Sequence, residues 1–546
     1  MKKWLLSIFF LLTLIIFSKE VKIKILGTSD IHGRVVPWNY AADEEDKSGS
    51  YSQISTLVKE IREKNKNVIL VDVGDSIQDN YIDIFAKEKN HPVPKVLNYM
   101  KYDVFVLGNH EFNFGMPALN NILKDMKSKK ITANFYNNNG KRYLPPTTII
   151  EKDGVKISII GITTPMSAKF EEDTGHLKNY KFTSPIEETK KQVYELKKKG
   201  VNAIVVVAHM GIENENNIPD TGVRDLVNSV DGIDVIIAGH MHLNVKKEII
   251  NGVLITEPHR YGTVLSEVDL KFSVNEKEVK LLDKNSTTIP VNKKEPDIEV
   301  VKIYKPYHDR LLEIANEKIG ETDNDMVPQG KNHGVSISFS RDTGMSSFIT
   351  DVQLHYSKAD VVAFSYNYEN VRLDKGPIRR KDIVFNYRYS GGDVSVYEMT
   401  GSQLKAYMEW SADYFDTIQK GDSNYRYNEI RGNSKYVTFD IFGGVKYKID
   451  LRNKKGDKIV ELELADGRKV TPNMKLKVGL NSYRFDQLIK KGGALEGQNI
   501  PLIWSSKETM GQEKGTIQNM MIDYIQNVKN GKIEGKSHDR WEIIGL

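Results

Sequence analysis

The chain has 546 residues, more than a single hydrophobic core sustains, so at least two domains are expected. Hydrophobic residues make up 39% and charged residues 28%, proportions that exclude the fibrous and disordered classes. The net charge of +5 is too small to argue for binding a nucleic-acid duplex, and with Cys 0 there is no disulfide and no thiolate ligand for a metal.

The opening segment, MKKWLLSIFFLLTLIIFSKE, sets two lysines before an apolar run from Trp4 to Phe17. Residues 1–18 are therefore expected to be a signal peptide, cleaved after about Ser18, that sends the chain to the periplasm or out of the cell. No later apolar run is long enough to span a bilayer, so no stable membrane insertion is expected after cleavage.

Residues 19–290 alternate strand-like runs with helical patterns. The strands are expected at VKIKILGTS (21–29), NVILVDVG (67–74), DVFVLG (103–108), VKISIIG (155–161), NAIVVVAH (202–209) and IDVIIAGH (233–240). Between them, YSQISTLVKEIREKN puts Ile54, Leu57, Val58 and Ile61 on one helical face. In SPIEETKKQVYELKKKG, Ser184, Pro185 and Glu187 form the start signal of a helix and Gly200 its stop. Such alternation predicts a layered α/β domain with strands buried on both faces.

The polar stretch KNSTTIPVNKKEPD (284–297) breaks the pattern and marks the expected boundary. A helical linker region, 291–322, follows, in which Pro306 is expected to kink or split the helix. Residues 323–546 are rich in tyrosine and mix strands with amphipathic segments such as TGSQLKAYMEWSADYF, the signature of an α+β domain.

Chemistry gathers where the strands of the first domain end. GTSDIHG supplies Asp30 and His32, DVGDS supplies Asp75, and LGNHE supplies Asn109, His110 and Glu111. VVVAHMG supplies His209, and IIAGHMH supplies His240 and His242. A lone Asp or His at a strand end is usually a turn residue. Five such motifs at the carboxyl ends of strands converge on one crevice instead. Nitrogen and oxygen donors without sulfur suit Zn, Mn or similar divalent ions.

The motif set D-x-H, G-D, G-N-H-E, H-x-G and G-H-x-H resembles that of the calcineurin-like metallophosphoesterases. The second half is similar to the C-terminal domain of the secreted 5'-nucleotidase family. Within it, the branch that the chain resembles most is the 2',3'-cyclic-nucleotide 2'-phosphodiesterase/3'-nucleotidases. The resemblance implies an α/β/β/α metallophosphoesterase domain (19–290) followed, after the linker, by a nucleotide-binding domain (323–546). It also implies two divalent metal ions. Asp30, His32, Asp75 and His242 would hold one, and Asp75, Asn109, His209 and His240 the other, with Asp75 bridging. His110 would stabilise a phosphate oxygen or protonate the leaving oxygen. Glu111 is expected to support the ligands from behind.

Two departures matter. Relatives of the 5'-nucleotidase branch carry Asp three residues beyond the motif histidine, where this chain has Asn113, as in the cyclic-phosphodiesterase branch. An amide lacks the charge to hold an imidazolium, so a His–Asp dyad is not expected here. In the second domain the resemblance puts substrate contacts at Asn367 and Arg372 and stacking aromatics at Tyr389 and Tyr483, although YNYEN replaces the usual glycine-rich stretch. Rotation of the second domain about the linker, around Pro306 to Gly320, is the family's way of moving substrate. The expected function is hydrolysis of 2',3'-cyclic nucleotides and 3'-nucleotides, small-molecule substrates. The alternatives are a 5'-nucleotidase or UDP-sugar hydrolase, and a non-catalytic nucleotide- or metal-binding surface protein.

Overall fold

The apolar runs of the first half fold into two six-stranded sheets, as a computed structural model describing residues 18–172, 174–389, 391–432 and 437–546 makes plain. The expected signal peptide, apart from Ser18, lies outside the described residues. The chain divides into two compact units: Glu44–Leu311 with the chain up to Asn39, and Leu312–Leu546 with Tyr40–Asp43.

In the first unit, one sheet places Lys19–Thr28, Val68–Asp72, Val104–Val106 and Lys129–Ile131 side by side in parallel. Val264–Val274 and Val279–Pro290 extend it by antiparallel pairing on the Lys19–Thr28 side. The other sheet has a parallel centre of Val155–Thr163, Ala203–His209, Val235–Ala238 and Val253–Pro258. Antiparallel edges, Thr147–Lys152 and Asn244–Ile250, close it on each side. The sheets face each other across a largely apolar layer that includes Ile25, Val71, Val106, Ile159, Val207 and Ile237. Their approach is close enough that a Cβ at Gly27 would lie 2.9 Å from Ile237 Cγ2. Helices cover the outer faces: Pro185–Lys198, capped by Ser184, which accepts from the Glu187 N–H at 3.2 Å, buries Val193 and Leu196. This is the layered α/β/β/α arrangement expected, and it explains why the strands read as continuous apolar runs.

Two strands are shorter than their apolar runs. Val104–Val106 stops before Gly108 because the Gly108 N–H leaves the ladder to donate to Glu111 Oε2 at 2.6 Å. Val235–Ala238 stops before His240, whose N–H donates to Asp30 Oδ2 at 3.0 Å. Residues 284–290, expected to lie in a boundary segment, belong to the strand Val279–Pro290. The helix Ile298–Ala315 runs on through Pro306 without splitting. A single proline removes one hydrogen bond, and buried Tyr304 and Leu311 anchor the helix on either side.

The second unit is mixed α and β. Its main sheet runs Ile441–Gly443, Val361–Phe364, Lys475–Leu480, Ser395–Thr400, Leu502–Ser505. The amphipathic segment forms the helix Gly401–Ala412, opened by a reciprocal cap between Thr400 and Gln403.

The inter-sheet layer carries the stability of the first unit. Ile237 is 0% exposed, so Ile237→Ala should cost about 2–5 kcal/mol, read as a lower thermal midpoint for that unit. A shift within error would show that the layer repacks around the missing side chain.

Candidate metal centre

Each expected metal ligand ends or follows a strand of the parallel centres, and the loops are sewn to one another by backbone bonds. The Asp30 N–H donates to Gly74 O at 2.9 Å, and the His32 N–H to Asp75 O at 3.0 Å. One sheet contributes Asp30, His32, Asp75 and Asn109; the other contributes His209, His240 and His242. Asp30, His32, Asp75, His240 and His242 all have positive φ, between 47° and 72°. Non-glycine residues adopt that region at a cost, and clusters of such residues mark sites where side-chain aim is worth the strain.

The side chains form two groups. In the first, His242 Nε2 lies 3.3 Å from Asp30 Oδ1 and 3.2 Å from His32 Nε2. In the second, His209 Nε2 lies 3.0 Å from Asp75 Oδ2 and 3.2 Å from Asn109 Oδ1, with His240 completing the set. Within each of the triads Asp30, His32, His242 and Asp75, His209, His240, donor atoms lie within 4.8 Å of one another. His209 Nδ1 donates to the Val73 carbonyl at 3.0 Å, which leaves Nε2 as its ligand atom.

The donor set fits divalent ions. Asp30 is fully buried, yet its Oδ1 accepts no well-directed hydrogen bond, and buried His32 Nδ1 also lacks a partner. Burial works against charge on Asp75, but the imidazoles of His209, His110 and His32 outweigh it and hold the carboxyl well below the usual range. Burial also opposes charge on His209, yet Asp75 beside it lifts the ring to about 10. Burial pulls His32 below its ordinary value.

Glycines make room for these aims. A Cβ at Gly108 would lie 2.2 Å from Asp75 Oδ1, and one at Gly239 would lie 2.2 Å from Ser29 Oγ. Glu111 does not orient a ligand histidine. Its carboxylate accepts the N–H groups of Gly108 (2.6 Å), Asp75 (2.8 Å) and Ser76 (2.9 Å), clamping two ligand loops together. Burial first, and the Asp75 carboxylate second, push Glu111 up to about 7.

His110 packs edge-on to His32, ring centroids 5.3 Å apart, and its N–H donates to Asp75 Oδ1 at 2.8 Å. Its Nδ1 lies 2.7 Å from Asn113 Oδ1. The amide of Asn113 in turn donates to Glu171 at 2.5 Å. His110 Nδ1 thus meets an amide rather than a carboxylate, and the Glu171 carboxylate stands behind that amide. Glu171 carries no motif around it, so nothing in the chain's local pattern signals it. The same holds for Glu215, whose Oε2 lies 2.9 Å from His240 Nε2.

The nucleotide-contact candidates lie in the second unit. Tyr389 and Tyr483 are 48% and 39% exposed, open enough for a planar ligand. Because Ser395 pairs with Leu480, the segments leading to the two tyrosines share one end of the main sheet. Asp393 ties them further, accepting from Asn481 Nδ2 at 3.0 Å and Ser482 Oγ at 2.8 Å. Asn367 and Arg372 are exposed on the loop after Val361–Phe364, with the Arg372 guanidinium 5.0 Å from the centre of the Phe385 ring.

The chain is similar to known proteins in sequence and in fold. Residues 23–244 match the calcineurin-like phosphoesterase family model, and residues 318–489 match the 5'-nucleotidase C-terminal domain. The chain is 26% identical to the trifunctional nucleotide phosphoesterase protein YfkN of Bacillus subtilis, covering 96% of this chain but only 39% of that one. It is also 26% identical to the 2',3'-cyclic-nucleotide 2'-phosphodiesterase/3'-nucleotidase of Salmonella typhimurium, covering 86% of this chain and 82% of that one. A solved Staphylococcus aureus chain of the 5'-nucleotidase type shares the fold with TM-score 0.77 and 20% identity, covering 96% of this chain and 100% of that one.

Chelation should lower the thermal midpoint by about 5–10 °C, because buried carboxylates lose their counter-charge. Gly108→Ala should remove that chelator-dependent difference by displacing Asp75. A variant that keeps the full difference would exclude Asp75 from the metal centre.

Proposed function

We propose, for a chain that belongs to the calcineurin-like phosphoesterases with a 5'-nucleotidase C-terminal domain, an exported nucleotide phosphohydrolase. It opens 2',3'-cyclic nucleotides to 3'-nucleotides and then releases phosphate from these. The observation that carries the reading is the convergence of six nitrogen and oxygen ligands around a seventh, buried Asp75, with His110 beside them. Likeness to the Salmonella enzyme over most of both chains supports the choice of substrate.

Asp30, His32, Asp75 and His242 would hold one ion, and Asp75, Asn109, His209 and His240 the other. Bound divalent ions supply Lewis acidity toward a phosphoryl oxygen and a more acidic water. The chain's own residues do the rest. Glu111 keeps the Asp75 and Asn109 loops at a fixed spacing. His110, held by the Asp75 carboxylate at its backbone and by Asn113 at its ring, offers Nε2 to the phosphate or to the departing oxygen. In the first reaction the phosphorus–O2' bond breaks and a 3'-monoester remains. In the second the phosphorus–O3' bond breaks and nucleoside leaves. Tyr389 and Tyr483 would take the base by stacking, which tolerates any base, and Asn367 and Arg372 would add polar contacts.

Export is part of the same reading. It rests on the leader pattern and on likeness to a Listeria monocytogenes cell wall protein. Among the described residues no helix is long and apolar enough to cross a membrane.

Phosphate release should be measured on 2',3'-cyclic AMP, 3'-AMP, 5'-AMP and UDP-glucose. The first two (the cyclic ester with a monoesterase added) should lead. A preference for 5'-AMP or UDP-glucose would place the chain in the 5'-nucleotidase or UDP-sugar class, and no turnover with metal bound would make it a binding protein. Tyr483→Ala should raise KM for nucleotides by the equivalent of about 1–3 kcal/mol while leaving bis-p-nitrophenyl phosphate hydrolysis unchanged. Equal damage to both substrates would make Tyr483 a structural residue.

A further inference from the structure

Asn113 stands between two partners, His110 on its oxygen side and Glu171 on its nitrogen side. Glu171 is 2% exposed and follows the short helix Ser167–Phe170. Its Oε2 accepts from Thr174 Oγ1 at 2.7 Å and faces His176 Nδ1 at 3.0 Å. The other neighbour of His176 Nδ1 is the Phe112 carbonyl at 3.2 Å, so that nitrogen meets only acceptors and carries a proton. Glu171 serves as an acceptor toward Thr174 and His176, so the amide nitrogen of Asn113 faces Glu171 and its oxygen faces His110. An amide oxygen can only accept. The proton on that side of His110 therefore sits on Nδ1.

We propose that Glu171 is a positioning residue for His110. Acting through the Asn113 amide, it fixes the Nδ1–H tautomer and the ring orientation, so that Nε2 is the atom presented to the scissile ester. This rests on the phosphohydrolase reading. The proton balance is simple. Water forms the new phosphorus–oxygen bond and releases one proton to solvent. Nε2 takes up a proton from solvent before each turnover and gives it to the ribose oxygen as the old bond breaks, while Nδ1–H stays on His110, bonded to the Asn113 oxygen, throughout. The chain thus replaces a direct carboxylate partner by an amide with a carboxylate behind it. The arrangement requires an amide at position 113, because a carboxylate there would face that of Glu171 within hydrogen-bonding distance.

The substitutions are therefore coupled. Glu171→Gln turns an acceptor into a group that can donate, which lets the Asn113 amide reverse and offer Nδ2 to His110. Asn113→Asp opposes Glu171. Combining Asn113→Asp with Glu171→Gln restores the order of donors: the introduced amide donates to the introduced carboxylate, which accepts from His110.

The test measures kcat on 3'-AMP and on bis-p-nitrophenyl phosphate, with metal content checked for every variant. Each single variant should lose about tenfold or more in kcat on 3'-AMP, whose leaving oxygen needs a proton. The loss on the nitrophenyl ester should be smaller, and the double variant should recover most of the activity. Single losses that add in the double variant, or a Glu171→Gln enzyme equal to wild type, would overturn the proposal. An independent readout is the nitrogen-15 spectrum of the histidine-labelled wild-type chain loaded with zinc, with His110→Ala used for assignment. Neutral His110 should show Nδ1–H, and an Nε2–H tautomer would overturn the relay even if the variants do not fold. A wild type that hydrolyses no phosphate ester would remove the phosphohydrolase reading, and the spectrum would still decide how His110 is held.

Discussion

Two carboxylates that water cannot reach govern this structure. Asp30 and Asp75 are 0% and 1% exposed, at the end of an apolar layer between two sheets. Charge in such a place must be neutralised by protons, imidazoles or cations. Three imidazoles, those of His209, His240 and His242, arrive from the opposing sheet. The packing of the two sheets and the balance of charge at their rim are thus the same constraint seen from two sides. Whatever moves one sheet against the other separates Asp75 from His209.

The rim is also where the backbone gives up regularity. Strands end early because Gly108 and His240 turn their N–H groups toward Glu111 and Asp30. Ligands take positive φ, and glycines stand where a methyl group would strike a carboxylate or hydroxyl. None of this would survive in a loop that only had to turn, since each feature costs free energy with no packing gain in return. The apolar layer behind it supplies the rigidity that holds these conformations.

Much of this was legible in the sequence because it follows from local patterns. Short apolar runs bounded by turn residues, such as NVILVDVG, read as strands buried on both faces, and the ligand types at their ends narrow the chemistry. What stayed hidden depends on tertiary contact. Glu111 sits next to His110 in sequence, yet its partners are three backbone N–H groups, two of them on the Asp75 loop. Glu171 is 58 residues from Asn113, with no periodicity or motif to tie them. Residues 284–290 read as polar because they form an edge strand with one solvent-facing side, paired along its length with its neighbour. The helix does not split at Pro306, and the contact of Tyr307 with Phe85, ring centroids 5.1 Å apart, is invisible in a local window. In the second unit, 26 tyrosines in the chain blur any single one, and only exposure separates Tyr389 and Tyr483 from buried rings such as Tyr407 and Tyr447.

The central proposal is that one carboxylate, Asp75, joins two cation sites, each built from ligands of both sheets. Anomalous diffraction from crystals grown with manganese or zinc tests it most directly. The account predicts two peaks about 3.5–4 Å apart with Asp75 between them, Asp30, His32 and His242 on one side, and Asn109, His209 and His240 on the other. A single peak, or two peaks of which Asp75 touches only one, would contradict it.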